Sequence, residues 1–410
     1  MTFDLTRPVA TPWLDAADYW SGLDRATAEL DPPFGVLSRE ALAWNAHSLL
    51  DRAAGTSIRV ATKSIRVRAV IDAVLAMPGF SGVLASTVPE ALWLAEEIAD
   101  VVVGYPTTHR AAIRTLARSP LLAGRVTLMV DAVEQLDLID AVIPPAHRES
   151  IRICLELDAS WNAPLLGHFG AWRSSVRTPA AARALAETVQ GRPGFALVGL
   201  MAYESQIAGL VDDAPGRAAF SALVRRAKLA PIPELAARRA LAVSAVREVA
   251  DLEFVNGGGT GSIESTAAEA AVTEIAAGSG LIGPHLFDHY RSFRPAPAVG
   301  FGLAVVRKPR EDIAVALGGG WIASGVTGAD RSPVPVWPER LQLMPREGAG
   351  EVQTPLTGPG ARGLGVGDRV FLRHTKAGEL SEHLTELAVV SAGRVTALVP
   401  TYRGEGRAFL

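Results

Sequence analysis

The feature that most constrains this chain is an alternation of short runs rich in β-branched residues with segments of helical period. The runs are 57–63 (SIRVATK), 82–86, 101–104, 126–130, 151–158 (IRICLELD), 196–202, 252–256 and 273–276. Helical segments lie between them, among them 89–98 (PEALWLAEEI), 109–116, 179–190 (PAAARALAETVQ) and 239–250. Near-continuous apolar strands separated by helices predict a parallel sheet buried on both faces. Eight such units within roughly 230 residues predict a closed (β/α)8 barrel, with an open doubly wound sheet as the alternative.

After Phe293 the texture changes to strand-like runs punctuated by Gly and Pro, with one short helical segment at 381–386. The expected organisation is therefore an N-terminal extension over 1–30, packing on the barrel or on the β domain. A barrel follows over 31–293 and a β domain over 294–410.

Composition narrows the function. Of 410 residues, 49% are hydrophobic and 20% charged, which supplies a large core and excludes a disordered or fibrous chain. Forty basic residues against 43 acidic ones leave a net charge of −3, so nothing draws the chain to nucleic acid or to an anionic membrane. The single cysteine, Cys154, excludes an intrachain disulfide and a cysteine-rich metal site, and it reads as a buried small hydrophobe. The first residues lack the apolar core of a signal peptide, and no run reaches the length of a membrane span. A soluble cytoplasmic enzyme is expected.

In a (β/α)8 enzyme the chemistry sits at the C-terminal ends of the strands. Lys63, one of only four lysines in the chain, ends the first run. A partly desolvated lysine there can form a Schiff base with an aldehyde. Asn256-Gly257-Gly258-Gly259-Thr260-Gly261-Ser262 follows the seventh run, and Ala277-Gly278-Ser279-Gly280 follows the eighth. Loops so rich in glycine can turn several backbone N–H groups toward one anion, and they stand where barrels commonly bind phosphate. A lysine and a phosphate cradle on one barrel mouth suit pyridoxal 5′-phosphate, which carries an aldehyde and a phosphate. A phosphosugar on a cofactor-free Schiff-base aldolase satisfies the same residues.

At these motifs the chain resembles the fold-type III pyridoxal-phosphate enzymes, in particular the alanine racemase N-terminal-domain group that includes D-threonine aldolase and D-serine dehydratase. The resemblance runs from about Pro33 to Leu410. It implies that Lys63, in Arg59-Val60-Ala61-Thr62-Lys63, carries the cofactor. Gly199-Leu200-Met201-Ala202-Tyr203 is similar to the family's sixth strand and puts Tyr203 beside the cofactor. The resemblance gives the phosphate to Gly258, Gly259, Thr260 and Gly261, and also to Gly278 and Ser279, within Glu274-Ile275-Ala276-Ala277-Gly278-Ser279. Tyr290 lies where members often carry a tyrosine. Leu380-Ser381-Glu382-His383 is similar to a Ser-Glu-Glu-His run in the C-terminal domain. A homodimer is implied as well.

The chain also departs from the group. Metal-dependent members carry a His-x-Asp or His-x-Cys pair after a proline near the C-terminus. Here the stretch reads Pro400-Thr401-Tyr402-Arg403-Gly404, so the usual divalent-metal site is not expected. Glu204 stands after the sixth-strand tyrosine where aldolases tend to have histidine, which implies a different substrate pocket.

Further candidates come from the strand ends. The segment from His374 to His383 is dense in ionisable groups and offers His374 or His383 as a base for a hydroxyl proton, or a rebuilt metal site. Arg173 is placed to bind the cofactor ring or a substrate carboxylate, with Trp161 and Trp172 as pocket walls. Asp131, Asp158 and Tyr105 also sit at strand ends, whereas His168 receives no role. The expectation is a pyridoxal-phosphate lyase acting on D-β-hydroxy amino acids, by aldol cleavage or by deamination. The alternatives are an amino-acid racemase using Lys63 with Tyr203 or Tyr290, and a non-catalytic cofactor-homeostasis protein.

Overall fold

The computed structural model describes residues 3–163, 167–376 and 378–410. The chain divides into two compact units, one comprising 1–49, 63–77 and 278–408, the other 50–62, 78–277 and 409–410. Its first strand, β1 (Phe34–Ser38), belongs to the first unit.

The second unit is the barrel. Its strands are β2 (Ser57–Ala61), β3 (Phe80–Ala85), β4 (Val101–Val103), β5 (Val126–Val130) and β6 (Ile151–Glu156). A small hairpin follows, β7 (Trp161–Ala163) with β8 (Gly167–Phe169), and then β9 (Phe195–Ala202), β10 (Phe254–Gly257) and β11 (Glu274–Ala277). The barrel closes in the order β10-β11-β2-β3-β4-β5-β6-β9, all parallel. All eight expected runs are barrel strands, and closure removes the open-sheet alternative. β4, β5, β10 and β11 are buried along their whole length, which is why they read as unbroken apolar runs.

Inside the barrel Val102, Met129, Cys154, Val198, Met201 and Phe254 form one cluster. Phe254 lies against Gly199 so closely that a Cβ there would stand 2.2 Å from the ring. The interior also carries charge: Arg59, 2% exposed, donates to both carboxylate oxygens of Glu274, at 2.7 and 2.8 Å. Asp100 accepts from Arg59 at 2.8 Å, and Asn256 donates to Glu274 at 2.8 Å. A buried ion pair with its remaining sites bonded avoids the penalty of an isolated charge.

Short polar caps start the barrel helices. Thr87, Ser119 and Thr178 each accept a backbone N–H from the first turn of helices 88–94, 120–125 and 179–190, and each of those helices has proline in its first turn.

The first unit is a nine-stranded sheet. After β1 come β12 (Val299–Arg310), β13 (Ile313–Leu317), β14 (Val334–Trp337), β15 (Gln342–Leu343) and β16 (Gln353–Thr357), then β17 (Arg369–Arg373), β18 (Glu386–Ser391) and β19 (Arg394–Pro400). The main path is β15-β16-β13-β12-β1-β18-β19, and β17 pairs with β12 and β14. β1 is antiparallel to β12 and parallel to β18, so residues 34–38 are central in this sheet.

The N-terminal helix, 16–26, turns Tyr19, Trp20 and Leu23 into a core with Phe34, Val36, Phe371 and Val390. The expected helical segment at 381–386 is instead a 3-10 turn over Glu379–Glu382, after which Glu386 already begins β18. Four residues between two constrained segments are too few to nucleate a helix. Among the described residues no helix is long and apolar enough to cross a membrane.

Candidate active site

β10, β11 and β2 are consecutive in the barrel, with β11 paired in parallel to both of the others. The chain leaves β2 through the 3-10 turn Thr62–Ser64, which carries Lys63. It leaves β10 into Gly258–Ser262 and β11 into Gly278 and Ser279. The lysine and both glycine loops thus follow three neighbouring strands.

The loop after β10 is tied in place. Gly258 has φ +78°, which favours glycine, and a Cβ at Gly259 would stand 3.0 Å from the Tyr203 ring and 3.1 Å from the Ala208 Cβ. The Gly258 N–H donates to Glu204 at 3.3 Å and the Gly259 N–H to Ser262 Oγ at 3.1 Å. The hydroxyls of Ser262 (3.0 Å) and Thr266 also donate to Glu204. Arg239, fully buried, donates to Glu204 at 2.8 Å and to the Ala202 carbonyl at 3.2 Å, and pairs with Glu269. On the loop's other side Arg52 donates to the Thr260 carbonyl at 2.7 Å and pairs with Glu264 at 2.6 Å.

Two expectations change here. Glu204 is 1% exposed with its carboxylate engaged in this network, so it shapes the loop rather than lining a substrate pocket. The amides of Gly258 and Gly259 are committed within the protein, so a phosphate here would rest on the later part of the loop. A glycine turn of this tightness, where a Cβ at Gly259 would fit only if Tyr203 or Ala208 gave way by a few tenths of an ångström, fits a compact anion.

A second cluster gathers at the ends of β4, β6 and β9. The Arg173 guanidinium lies 4.7 Å from the Tyr105 ring centre and 5.5 Å from that of Tyr203. Arg173 Nε is 3.1 Å from the Glu156 carboxylate, and the same side chain donates to the Gly104 carbonyl. Glu156, 3% exposed, is pushed up to about 7 by burial; Arg173 opposes the shift, and Asp131 and Asp158 add to it. Burial, with the neighbouring Glu204, pushes the Tyr203 hydroxyl up to about 12, so it stays protonated at neutral pH.

Asp131 exchanges hydrogen bonds with Gln135 at the start of helix 133–142. Asp158 accepts from Ser160 and Arg177 and fixes the base of the hairpin. On that hairpin Trp161 packs on Phe169, while Trp172 is 86% exposed and stacks on His168 at 3.8 Å. Trp172 is therefore not a buried pocket wall.

In the sheet unit, His374, Thr375, Glu379, Leu380, His383 and Trp321 line one small pocket. His374 is buried directly after β17, and the His383 ring stacks parallel on Trp321 at 5.2 Å. Burial lowers the His383 pKa below its ordinary value, Arg403 acts in the same direction, and Glu382 and Glu379 oppose. The segment rests on the lysine's own backbone. Ser381 donates to the Ile65 carbonyl at 2.8 Å, Arg66 donates to Glu382 at 2.7 Å, and a Cβ at Gly378 would stand 2.9 Å from the Lys63 carbonyl oxygen. The turn between the two histidines, 378–382, therefore belongs to the packing environment of 63–66. Ala377, within the same expected run, lies outside the described residues.

Tyr290 is 1% exposed between Phe287 and Phe293, with ring centres 5.1 and 5.2 Å away, so it is a core residue of its segment. Tyr402, within the Pro400–Gly404 stretch, is buried, and its N–H donates to the Arg66 carbonyl. Among the described residues no cluster of three or more His, Cys, Asp or Glu stands at metal-ligand spacing.

Sequence reading passed over Arg52, Glu156, Arg239 and Thr266. Glu156 had a signal, since it ends a barrel strand. Arg239 had none, because it sits mid-helix in an Ala/Arg-rich stretch.

An eight-stranded parallel barrel carries a lysine just beyond one strand and glycine-containing turns beyond the next two, the one after β10 tied in place, and this places the chain among the barrel enzymes. Residues 37–284 match the model described as alanine racemase, N-terminal domain, and the chain belongs to that family. It is 27% identical over 264 residues to 3-hydroxy-D-aspartate aldolase of Paracoccus denitrificans (strain Pd 1222), a match that covers 63% of this chain and 61% of that protein. The fold is shared with D-threonine aldolase from Filomicrobium marinum (TM-score 0.76, 20% identity, 92% of this chain and 96% of that one). It is also shared with D-threo-3-hydroxyaspartate dehydratase from Delftia sp. HT23 (TM-score 0.67, 19% identity, 91% and 97%). Alanine racemase from Bacillus anthracis has the same fold (TM-score 0.61, 13% identity, 92% and 99%).

Proposed function

We propose that this protein is a pyridoxal-phosphate-dependent lyase that cleaves or deaminates D-β-hydroxy amino acids. The observation that carries the reading is Lys63, two residues beyond β2, with tied or glycine-rich turns leaving the next two strands of the closed barrel. Family membership and the activities of the aldolase and dehydratase relatives support it.

Lys63 would hold the cofactor's aldehyde carbon. Thr260 and Gly261, with Gly278 and Ser279, would take its phosphate. Arg173 and Tyr203 would face its ring. When bound, the cofactor supplies a sink for electrons released at the substrate Cα. The chain's own residues choose which bond breaks, by orientation and by proton transfer.

His383, with its pKa lowered, is neutral near pH 7 and suited to take the β-hydroxyl proton at an imidazole nitrogen; His374 lines the same pocket. Tyr203, protonated, can donate a hydrogen bond but is not a resting base. That favours a lyase over a racemase with Tyr203 as its second base. The nine-stranded sheet that accompanies the barrel supports an enzyme over a cofactor-homeostasis protein. We further take the working form to be a cytoplasmic homodimer, as the resemblance implies; sedimentation velocity tests the dimer.

The test is a visible absorbance spectrum of the purified protein, before and after borohydride, beside Lys63→Ala. A Schiff-base band present in the wild type and absent in the variant is expected. No band after added pyridoxal phosphate would return the cofactor-free aldolase to the front. Aldehyde release from D-threonine analogues identifies cleavage, keto acid with ammonia identifies deamination, and solvent deuterium at Cα with loss of optical rotation identifies racemisation. Activity insensitive to chelators is expected, because the stretch Pro400-Thr401-Tyr402-Arg403-Gly404 lacks the ligand pair of the metal-dependent members.

A further inference from the structure

We propose that Glu204 is a positioning residue of the anion loop, holding residues 257–266 in their receiving shape before any anion arrives. The inference rests on the cofactor reading above and extends it to a residue that does not itself touch the phosphate.

Glu204 directly follows the Tyr203 turn at the end of β9, on the strand next to β10. Its buried carboxylate accepts from three points on one short segment: the Gly258 N–H, the Ser262 hydroxyl and the Thr266 hydroxyl. Arg239 approaches from helix 232–247 and donates to the same carboxylate, while its guanidinium carbon stands 3.5 Å from where a Gly257 Cβ would be. An ionised carboxylate is an acceptor at both oxygens, which suits donors arriving from four directions. Arg239 pairs with this carboxylate at 2.8 Å, and both side chains are buried, so neither charge is left without a partner in the interior.

This arrangement accounts for which loop groups are engaged within the protein. Ser262 is the hydroxyl a phosphate would ordinarily recruit, yet it donates to Glu204 and accepts from Gly259. The turn is closed on itself at 258, 259 and 262, and its backbone is fixed around 260 and 261. Tyr203, one residue before Glu204, lays its ring on Gly259. A single strand end thereby sets both the loop and the aromatic face beside it. A loop ordered in advance does not lose that ordering entropy on binding, so its affinity for the anion is higher.

Glu204→Gln keeps the shape but replaces one acceptor oxygen with a donor, so it cannot accept from Ser262, Thr266, Gly258 and Arg239 together. The experiment measures binding of pyridoxal 5′-phosphate and of unphosphorylated pyridoxal to the cofactor-free full chain. Amide deuterium exchange across 257–266 is followed in the same protein. Expected are a loss of affinity for pyridoxal phosphate of roughly tenfold or more, little change for pyridoxal, and faster exchange confined to the loop. Ser262→Ala, which removes one tie and keeps the carboxylate, should shift both readouts the same way by less.

An equal loss for both ligands, or unchanged loop exchange, would overturn the proposal, since a merely structural residue does not select for the phosphate. If the wild-type chain takes up neither ligand, the cofactor reading fails. In that case unchanged exchange in Glu204→Gln overturns the positioning role, and faster exchange confined to the loop upholds it.

Discussion

Glu156 shows how position decides what a residue type does. As one acid among 43 its residue type carries no signal, and only its place at a strand end marks it. Burial at the end of β6 raises its pKa from 4.5 to about 7, despite Arg173 at 3.1 Å. Between those values the folded protein binds the proton more tightly than the unfolded chain does. Stability therefore falls as pH rises through this window, by an amount on the order of 3 kcal/mol at most. Glu156→Gln should flatten the fall in melting temperature between about pH 5 and 8. It should be no less stable than wild type at the alkaline end. A variant that still loses stability as steeply as wild type would show that other groups set the slope.

His383 gives a prediction of opposite use. With its pKa lowered, the neutral base is already present below the ordinary histidine range. Then kcat/KM should rise on an acid limb below that range and plateau through neutrality, and His383→Asn should abolish the limb with a loss of about 10²–10⁴-fold. These two residues differ in legibility. His383 belongs to a motif visible in the sequence. The pKa of Glu156 depends on which neighbours the barrel brings to it, and no local pattern encodes that.

At the scale of elements, the barrel strands were legible because burial on both faces leaves unbroken apolar runs, and helices such as 88–94 and 179–190 because their residues keep a helical period. The sheet was less so. β14 and β16 carry Pro335 and Pro355, which argue against a strand when read locally, and tertiary pairing with β17 and β13 overrides that preference. Residues 381–386 were read as helical because nothing in the sequence records the surface that the turn at 378–382 covers. That surface is backbone. A Cβ on Gly378 would stand 2.7 Å from Ile65 N, 2.8 Å from Ser64 C and 2.9 Å from Lys63 O, none of which can swing aside. Gly378→Ala should therefore displace the lysine turn. A stability loss of about 1–3 kcal/mol is expected, with a change in the Schiff-base band measured beside it. Gly363→Ala is the control, since nothing stands within 4 Å of its Cβ position. If both variants behave alike, the contact with the lysine turn has no consequence.

At the scale of the whole molecule, the sequence suggested a linear order of extension, barrel and β domain, while the chain passes between its two units repeatedly. It leaves the sheet unit after residue 49, returns for 63–77, and returns again at 278. The change of texture near Phe293 marks where strands begin to alternate, which is a local property. Membership of β1 is a long-range one, since its two neighbours are β12 and β18, more than 250 residues away. Val36 and Leu37 of β1 are fully buried there. A fragment cut at 31–293 keeps all eight barrel strands but leaves β1 with neither partner and strips Trp20 from Phe34 and Val36. Exposed apolar strand edges pair with other chains, so this fragment should aggregate or unfold without a cooperative transition. Co-expression of 1–293 with 294–410 should recover soluble, cooperatively unfolding protein, because it restores both neighbours of β1 without restoring the peptide bond. Within the intact chain Trp20→Ala isolates the same dependence: truncation of a buried indole costs about 3–5 kcal/mol. Measured by denaturant unfolding, that loss should appear in the sheet unit. A 31–293 fragment that stays monomeric and melts in one sharp transition would mean that the barrel folds without its sheet strand, and that the chain's repeated crossings between units carry no folding consequence.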